Sequence, residues 1–270
     1  MDTSDKTFSG AIPELYDQYM VPMIFEEFAE DLAARVAARS PMSVMETAAG
    51  TGALTRALAP LLSSEARYLV TDLNPPMLAQ AQDRQPPDER LSWQPVDALS
   101  LPFDDGMFDA VCCQFGVMFF PDRVAGYKEA RRVLRPGGLY AFNTWDRIED
   151  NEFAHIVEQT LADVFPDDPP VFMSRTPHGY FDTERIRRDV EAAGFSDVEI
   201  ATIETGSPAP SAMHAAIAYC QGTPFRNEIT ARNAELLRVV TEKVAASIAG
   251  RFGDGPISGR IRGHVVTAVA

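Results

Sequence analysis

The sequence is poor in cysteine, tryptophan and histidine. Its 270 residues include three cysteines, two tryptophans and four histidines. Three cysteines cannot all pair, and the neighbours Cys112 and Cys113 would point to opposite faces of a strand, so a disulfide-stapled secreted fold is disfavoured. No histidine pattern at metal-ligand spacing accompanies Cys220. We therefore predict no metal site.

Basic residues and long apolar runs are also scarce. Only 24 Lys and Arg oppose 39 Asp and Glu, which gives a formal net charge of −15. Such a surface repels nucleic-acid phosphates and anionic lipid headgroups, so we expect no nucleic-acid partner. No apolar run approaches a bilayer span, and residues 1–6 carry no apolar signal region. We expect a cytoplasmic protein without membrane insertion, and its 46% hydrophobic content suffices for one large α/β domain.

What the sequence does contain is a glycine turn between a short apolar run and a helix. Residues 43–45 predict a strand and residues 53–58 a helix, and Glu46 and Gly50-Thr51-Gly52 lie between them. Glycines at the carboxyl end of a strand let the backbone approach a nucleotide-bearing ligand. Packing alone can also require glycine there, so this motif by itself leaves both explanations open.

The next predicted strand strengthens the ligand-binding interpretation. It covers residues 68–72 and ends in Asp72, twenty positions beyond Gly52. A carboxylate at this place can accept hydrogen bonds from both hydroxyl groups of a ribose, and the spacing suits NAD as well as adenosylmethionine. Thr55 occupies the position where a dinucleotide fingerprint has its third glycine, which weakens the NAD interpretation.

Three further motifs follow in a diagnostic order. They are Trp-Gln-Pro-Val-Asp-Ala at 93–98, a predicted strand within 107–116, and residues 131–142 with their Leu-Arg-Pro-Gly-Gly turn. Together with the first two motifs, this set resembles the class I adenosylmethionine-dependent methyltransferases over residues 42–146. Residues 108–122 and the Leu-Arg-Pro-Gly-Gly turn look most like the ubiquinone/menaquinone C-methyltransferase branch. The sequence departs from many members at Ala48-Ala49, where they carry Gly-x-Gly, but alanine is still small.

The resemblance implies a fold, a cofactor and a set of binding residues. The implied fold is α/β, a Rossmann-like sheet of seven mostly parallel strands with an antiparallel last strand, flanked by helices. The implied cofactor is S-adenosyl-L-methionine, with S-adenosyl-L-homocysteine as product. Around its methionine part the resemblance places Glu46, Ala48, Gly50, Gly52 and Thr55. Around its nucleoside and sulfonium it places Asp72 at the ribose, Leu73 and Met77 flanking the adenine, Asp97 and Ala98 at the exocyclic amine, and Gln114 beside the sulfonium. Tyr16, on a helix that could close over the cofactor, is a further candidate, with plain packing as its alternative role.

The remaining chain is predicted to complete one domain over residues 1–270. We expect N-terminal helices within 1–40, a cofactor-binding core over 42–146, and cap insertions over 150–180 and 205–262. Residues 182–193 predict a helix stopped by Gly194, residues 198–203 a strand, and residues 264–269 the antiparallel seventh strand. Within the second cap, residues 212–220 and 228–249 predict helices. Insertions at the carboxyl ends of strands overhang the site.

The predicted function is methyl transfer to a small, partly apolar molecule by in-line displacement. A sulfonium methyl is already activated, so the enzyme must align the acceptor and exclude water. A phenol or amine acceptor also requires a general base, for which His178, His155, Tyr180 and Asp146 are candidates in or near the caps. A non-catalytic adenosylmethionine-binding regulatory protein and an NAD-dependent oxidoreductase are the alternatives. Whether the acceptor is carbon, oxygen or nitrogen stays open, as does the oligomeric state, a homodimer included.

Overall fold

A computed structural model describes Phe8 and residues 10–270, and its centre is a seven-stranded sheet. The strands are β1 (Ser43–Glu46), β2 (Arg67–Asp72), β3 (Leu91–Pro95), β4 (Phe108–Cys113), β5 (Leu134–Trp145), β6 (Ser196–Ala209) and β7 (Ile257–Val269). Their order in the sheet is β3-β2-β1-β4-β5-β7-β6. β1 to β5 run parallel, and β7 pairs antiparallel with both β5 and β6. The predicted mostly parallel sheet with an antiparallel last strand is confirmed.

Helices cover both faces of the sheet. They are α1 (Ile12–Leu15), α2 (Glu26–Ala37), α3 (Ala53–Leu58), α4 (Pro75–Arg84), α5 (Arg123–Val133), α6 (Glu152–Val164), α7 (Phe172–Arg175), α8 (Thr183–Ala192), α9 (Ala212–Gln221), α10 (Phe225–Asn233) and α11 (Leu237–Phe252). A π-helical segment, Tyr16–Phe25, joins α1 to α2, and short 3-10 turns occupy Ala59–Leu61, Val117–Phe119, Ile148–Asp150 and Ala234–Leu236. Sequence signals explain several starts: Pro75 and Pro76 open α4, and the side chains of Asp122, Asp182 and Ser211 cap α5, α8 and α9.

The two faces of the sheet bury separate apolar clusters. On β4, Cys112 packs in one cluster and Cys113 in the other, so the two thiols point to opposite faces as the alternation predicts. Cys112, Cys113 and Cys220 are all free and buried. Burial raises the pKa of the Cys113 and Cys220 thiols to about 12 and that of Cys112 well above its ordinary value. All three therefore act as small core residues.

The last two strands are longer than predicted. β6 extends from Ser196 to Ala209 and pairs with β7 from Ser196↔Val269 to Ala209↔Ile257. The predicted cap at 205–262 is therefore shorter and covers residues 210–256. Gly206 and Pro208 hid the continuation of β6 in the sequence, and proline is tolerated there because β6 is an edge strand.

Two further predictions differ in detail. The helix predicted over 228–249 is split into α10 and α11, because the Asn233 side chain accepts a hydrogen bond from the Glu235 N–H and caps a new turn. The Leu-Arg-Pro-Gly-Gly motif is a bulge inside β5: the register passes from Phe108↔Leu134 to Ala110↔Leu139, with Gly137 at φ +81°. Asp109 beside this bulge accepts hydrogen bonds from Met42 N and Ser43 N at 2.9 Å.

Among the described helices, none combines the length and the apolar character that crossing a bilayer would require. Within the same residues, no group of three or more His, Cys, Asp and Glu side chains could hold a metal ion. The sequence expectation of no signal region concerns residues 1–6, which lie outside the described residues.

Candidate active site

A cavity lies at the carboxyl ends of the parallel strands, under the N-terminal helices and the two caps. The loops after β1, β2, β3 and β4 form its floor, and the π-helical segment and both caps form its roof. Nine of the twelve predicted cofactor-binding residues line it: Tyr16, Ala48, Gly50, Asp72, Leu73, Met77, Asp97, Ala98 and Gln114. The fold thus brings together residues that lie almost 100 positions apart in the chain.

The loop after β1 owes its shape to alternating left-handed residues. Ala48, Gly50 and Gly52 have φ values of +51°, +58° and +81°. Hydrogen bonds from Thr47 N to Cys112 O and from Ala49 N to Thr71 O tie the loop to the two neighbouring strands. Ala48 stands where many members of the resembling family carry glycine. Because its backbone is left-handed, the replacement of glycine by alanine affects conformation as well as size, since alanine is strained in this region and glycine is not.

Glu46, Thr55 and Gly52 lie behind the cavity wall and do not line it. The Glu46 carboxylate is fully buried and accepts hydrogen bonds from the Tyr68 hydroxyl at 2.5 Å and the Thr55 hydroxyl at 2.7 Å. Burial raises its pKa to about 7 despite these two donors. A Cβ on Gly52 would lie 3.1 Å from Ala81 Cβ, so this glycine allows α4 to pack closely. The three residues therefore support the loop from below.

Asp72 connects the two cofactor-side loops. Its Oδ2 accepts a hydrogen bond from Gly50 N at 2.8 Å, and its Oδ1 accepts one from Asn74 N at 2.7 Å. Burial raises the pKa of Asp72 above its ordinary value, although these backbone donors oppose the shift. Oδ1 also accepts a hydrogen bond from Asn74 Nδ2 at 3.3 Å, whereas Oδ2 retains a lone pair. The side chain faces the cavity.

Asp97 and Gln114 make local hydrogen bonds as well as lining the cavity. Asp97 Oδ1 caps a turn by accepting from Leu99 N at 2.9 Å, and Gln114 Nε2 donates to Phe25 O at 2.9 Å. The amide oxygen of Gln114 stays available to the cavity. The geometry is therefore compatible with both a structural role and a ligand-facing position for these two residues.

Ion pairs and a hydrogen bond connect the N-terminal helical segment to the glycine turn and to α4. Asp17 forms ion pairs with Arg56 at 3.2 Å and Arg84 at 2.9 Å, and Arg56 Nη1 also donates to Thr51 O at 2.6 Å. These contacts hold Tyr16 in the cavity wall, where burial raises the pKa of its phenol above the ordinary value. Thr51 itself lines the cavity with a buried hydroxyl that has no hydrogen-bond partner among the described residues.

Aromatic side chains form the other half of the cavity. Phe115, at φ +50°, stacks on Trp145 with ring centroids 3.6 Å apart, and Phe25 meets both rings at 5.6 and 5.7 Å. Further apolar lining comes from Met20, Ile24, Phe119, Phe120, Phe172, Met173, Tyr219 and Ile261. No Lys or Arg is among the described lining residues, and the only carboxylates are Asp72 and Asp97. None of these aromatic residues is among the site residues predicted from the sequence, because the contacts that bring them to the cavity join segments distant in the chain.

Of the four predicted general-base candidates, only His178 lines the cavity. Its ring is buried, with Nδ1 2.7 Å from the backbone carbonyl oxygen of Asp146, and burial lowers its pKa to about 4. The Asp146 carboxylate is turned toward Arg262 and His264, at 3.0 and 3.4 Å. Tyr180 donates to Asp189 at 2.8 Å outside the cavity, and His155 is half-buried on α6.

Comparison with known proteins adds a family. Residues 45–142 match the family model described as a methyltransferase domain. The chain is 33% identical over 182 residues to a demethylmenaquinone methyltransferase of Mycolicibacterium gilvum, an alignment that covers 64% of this chain and 75% of that protein.

Solved methyltransferase structures share the fold. A putative methyltransferase from Bacillus halodurans superposes with a TM-score of 0.55 at 18% identity, over 90% of this chain and 98% of that one. Phosphoethanolamine N-methyltransferase 2 of Haemonchus contortus, solved in complex with S-adenosyl-L-methionine, superposes with a TM-score of 0.59 at 15% identity, over 95% of this chain and 56% of that one.

The cavity of this chain fits the same cofactor. Asp72 Oδ2 offers a lone pair to a hydroxyl group of a ligand. The buried Thr51 hydroxyl has no hydrogen-bond partner among the described residues, and a ligand could supply one. Gly50 leaves open space, since a Cβ there would approach nothing closer than the Met77 methyl at 3.7 Å. The chain therefore belongs to the class I adenosylmethionine-dependent methyltransferases, and S-adenosyl-L-methionine is its cofactor.

Proposed function

We propose that this methyltransferase transfers the methyl group, by in-line displacement, to a small, uncharged and partly apolar molecule. The observation that carries the proposal is the aromatic half of the cavity, which contains Phe25, Trp145 and Phe172 and no Lys or Arg among its described lining residues. An anionic acceptor would lose its hydration there without gaining a cationic partner, which is costly. A flat or apolar molecule would gain contact area against the rings.

In this proposal the cofactor binds at the strand ends. Asp72 holds the ribose hydroxyls, Leu73 and Met77 flank the adenine, and Asp97 with Ala98 receives its amine. Ala48, Gly50, Tyr16 and Gln114 surround the methionine part and the sulfonium. Glu46, Gly52 and Thr55 act indirectly, because they shape and support the loop from behind the wall. When bound, the cofactor supplies a methyl group on a positively charged sulfur.

The acceptor then occupies the space between the stacked Phe115–Trp145 pair and the caps. Residues 150–180 contribute Phe172 and His178, and residues 210–256 contribute Tyr219 and Thr223. Since these caps close over the core, we propose that residues 1–270 work as one domain. The rings exclude water and orient the acceptor toward the strand ends, which is the contribution that an in-line transfer requires of the protein.

Binding followed by turnover tests this function. The first step is calorimetric titration of the purified protein with S-adenosyl-L-methionine and S-adenosyl-L-homocysteine, with NADH as control. The second is an assay of S-adenosyl-L-homocysteine release with neutral aromatic acceptors, each paired with a carboxylated analogue. A short-chain demethylmenaquinol belongs in this set, because the relative from M. gilvum is named for that class of acceptor.

We expect binding of both sulfur compounds, none of NADH, and release at least tenfold faster with each neutral acceptor than with its carboxylated partner. Equal rates within the pairs would contradict the uncharged acceptor. Binding without turnover of any acceptor would favour a regulatory protein that keeps the cofactor site. A nicotinamide-dependent absorbance change would instead favour an oxidoreductase.

A further inference from the structure

His178 is a buried imidazole with one nitrogen fixed and the other free. The carbonyl oxygen of Asp146, 2.7 Å from Nδ1, can only accept a hydrogen bond, so Nδ1 must carry the proton. In the neutral ring this leaves a lone pair on Nε2. No described residue occupies that nitrogen, and the ring lines the cavity. The imidazole therefore presents a proton acceptor to whatever lies beside it.

The orientation of this ring is determined by a rigid support. Asp146 N donates to Arg262 O at 3.1 Å, and the Asp146 carboxylate accepts from Arg147 N at 2.8 Å and pairs with Arg262 Nε at 3.0 Å. His178 N donates to Met173 O at 2.8 Å, which fixes the backbone that carries the ring. Because both ends are held, Nε2 cannot turn away from the cavity without breaking these contacts. Asp146 is in this sense a positioning residue.

The surroundings of Nε2 define what it can contact. The His178 ring lies 6.1 Å from the Trp145 ring, centroid to centroid, and Trp145 stacks on Phe115, which directly follows Gln114 at the end of β4. The proton acceptor thus adjoins an aromatic wall that continues through Trp145 and Phe115 to Gln114, the predicted neighbour of the sulfonium. The charged groups that act on His178 are the carboxylates of Asp146 and Glu149, which favour protonation, but burial outweighs them and keeps the ring neutral at physiological pH.

We propose that His178 is the general base of this methyltransferase and that the acceptor carries its hydroxyl group on an aromatic ring. The proposal rests on the function proposed above and adds the acceptor class and the catalytic residue. A flat ring fits the wall of Phe115, Trp145 and Phe172, and its hydroxyl can donate to Nε2. The aromatic half offers no carboxylate to hold an ammonium group, which disfavours charged amines.

The transfer balances with these groups alone. The hydroxyl proton moves to Nε2 of His178, and the oxygen electron pair forms the new bond to the methyl carbon. The bond between that carbon and sulfur breaks, and its electron pair stays on sulfur. The products are the methyl ether, neutral S-adenosyl-L-homocysteine and a protonated His178, which returns its proton to solvent when the products leave.

The test compares His178→Asn with wild type on a series of substituted phenols and naphthols. Asparagine retains an N–H donor for the Asp146 carbonyl but has no basic nitrogen at the Nε2 position. His155→Asn is the matched control, because His155 is a cap histidine outside the cavity. We expect kcat at pH 7 to fall about 100-fold in His178→Asn and to stay within twofold in His155→Asn. The affinity for S-adenosyl-L-homocysteine should stay within twofold in both variants.

The pH profile and the acceptor series separate a base from a merely structural histidine. Wild-type kcat should be flat from pH 6 to 8, because His178 is already neutral there. In His178→Asn, kcat should rise about tenfold per pH unit toward the pKa of the hydroxyl. For the wild-type enzyme, kcat should depend only weakly on the pKa of the phenol. This measurement does not require the variant, so it tests the proposal even if His178→Asn does not fold.

Several results would overturn the proposal. They are an unchanged pH profile in His178→Asn, a steep dependence of wild-type kcat on phenol pKa, faster methylation of a naphthylamine than of the matching naphthol, and a product methylated at carbon. Each leaves the broader methyltransferase function standing. Absence of cofactor binding, or binding without turnover of any neutral acceptor, would defeat the function proposed above together with this one.

Discussion

The cofactor half and the acceptor half of the cavity are lined by different kinds of chemical group. In the cofactor half, backbone groups and carboxylates such as Asp72 line the cavity, and apart from Tyr16 the proposed cofactor-binding residues come from one stretch of chain between Glu46 and Gln114. In the acceptor half, aromatic side chains from the π-helical segment, the segment after β4, both caps and β5 line the cavity, together with Ile261 of β7. A half held by backbone can stay constant while the other varies by side-chain replacement. This separation explains how one fold serves many acceptors.

Burial has one effect in common on both halves: it disfavours charge. It raises the pKa of Glu46 to about 7 and lowers that of His178 to about 4. The acid and the base are thus both shifted toward their neutral forms, as expected where water is excluded. A neutral, dry pocket strengthens the interaction of the remaining polar groups with a positively charged sulfur.

Among the substitutions that test this contrast between the halves, we expect the largest effect from replacing Asp72, which should weaken cofactor binding. We expect Asp72→Ala to weaken S-adenosyl-L-homocysteine binding roughly 100-fold, about 3 kcal/mol, because it removes the proposed ribose acceptors and releases Gly50 N and Asn74 N. Calorimetric titration measures this directly. Asp109→Ala is the matched control, since Asp109 also accepts from two backbone N–H groups, but near the amino ends of β1 and β4 and outside the cavity lining. Equal loss of affinity in both variants would show that Asp72 acts only through the fold.

Glu46 tests whether a buried carboxylate in the cofactor half lowers the stability of the folded protein at neutral pH. Its pKa rises from 4.5 to about 7 on folding, so the folded state binds the proton more tightly, and the resulting stability is present below pH 4.5 and lost as the pH rises to 7 and above. Glutamine cannot ionise. We expect the unfolding free energy of Glu46→Gln, relative to wild type, to increase by about 2 kcal/mol between pH 5 and pH 8. Urea unfolding of both proteins at each pH measures it, and a difference independent of pH would contradict the shifted pKa.

In the acceptor half, Phe172 should affect the acceptor and leave the cofactor untouched. We expect Phe172→Leu to raise KM for an aromatic acceptor about tenfold, because one ring of the wall is lost, with cofactor affinity unchanged. Phe225→Leu is the matched control: Phe225 packs on Phe172 with ring centroids 5.6 Å apart but does not line the cavity. Both variants should lose about 1 kcal/mol of stability. A similar KM change in Phe225→Leu would show that Phe172 acts through the packing of the cap and not through contact with the acceptor.

The smallest predicted effect concerns the left-handed Ala48 in the glycine turn. Glycine removes the strain at φ +51°, whereas at Ala49, which lacks a positive φ, it only adds freedom to the unfolded chain. We expect Ala48→Gly to be more stable than Ala49→Gly by about 1 kcal/mol, measured by thermal unfolding. The reverse order would mean that the Ala48 methyl group contributes more by packing than it costs in strain.

The sequence predicts the cofactor half of the cavity better than the acceptor half. β1, α3, β2 and the place of Asp72 are readable because each depends on a few neighbouring residues. The sequence did not reveal that Glu46, the last residue of β1, points behind the wall, since that depends on which face Tyr68 and Thr55 approach. The aromatic wall was equally hidden, because Phe115 and Phe172 meet the cavity only through contacts distant in the chain.

The position of β7 also sets an order of assembly. The pairings among β1, β2, β3 and β4 join residues at most 66 positions apart, as in Val44↔Ala110. β7, the last strand along the chain, lies between β5 and β6, and its pairing with β5 joins residues at least 118 positions apart, as in Trp145↔Gly263. It supplies Ile261 to the cavity and Arg262 and His264 to the Asp146 cluster. Closing such long loops is entropically slow, so we expect the cofactor half to form first during folding and the acceptor half to wait for residues 257–269. The two halves of the cavity are then separated in time as well as in space.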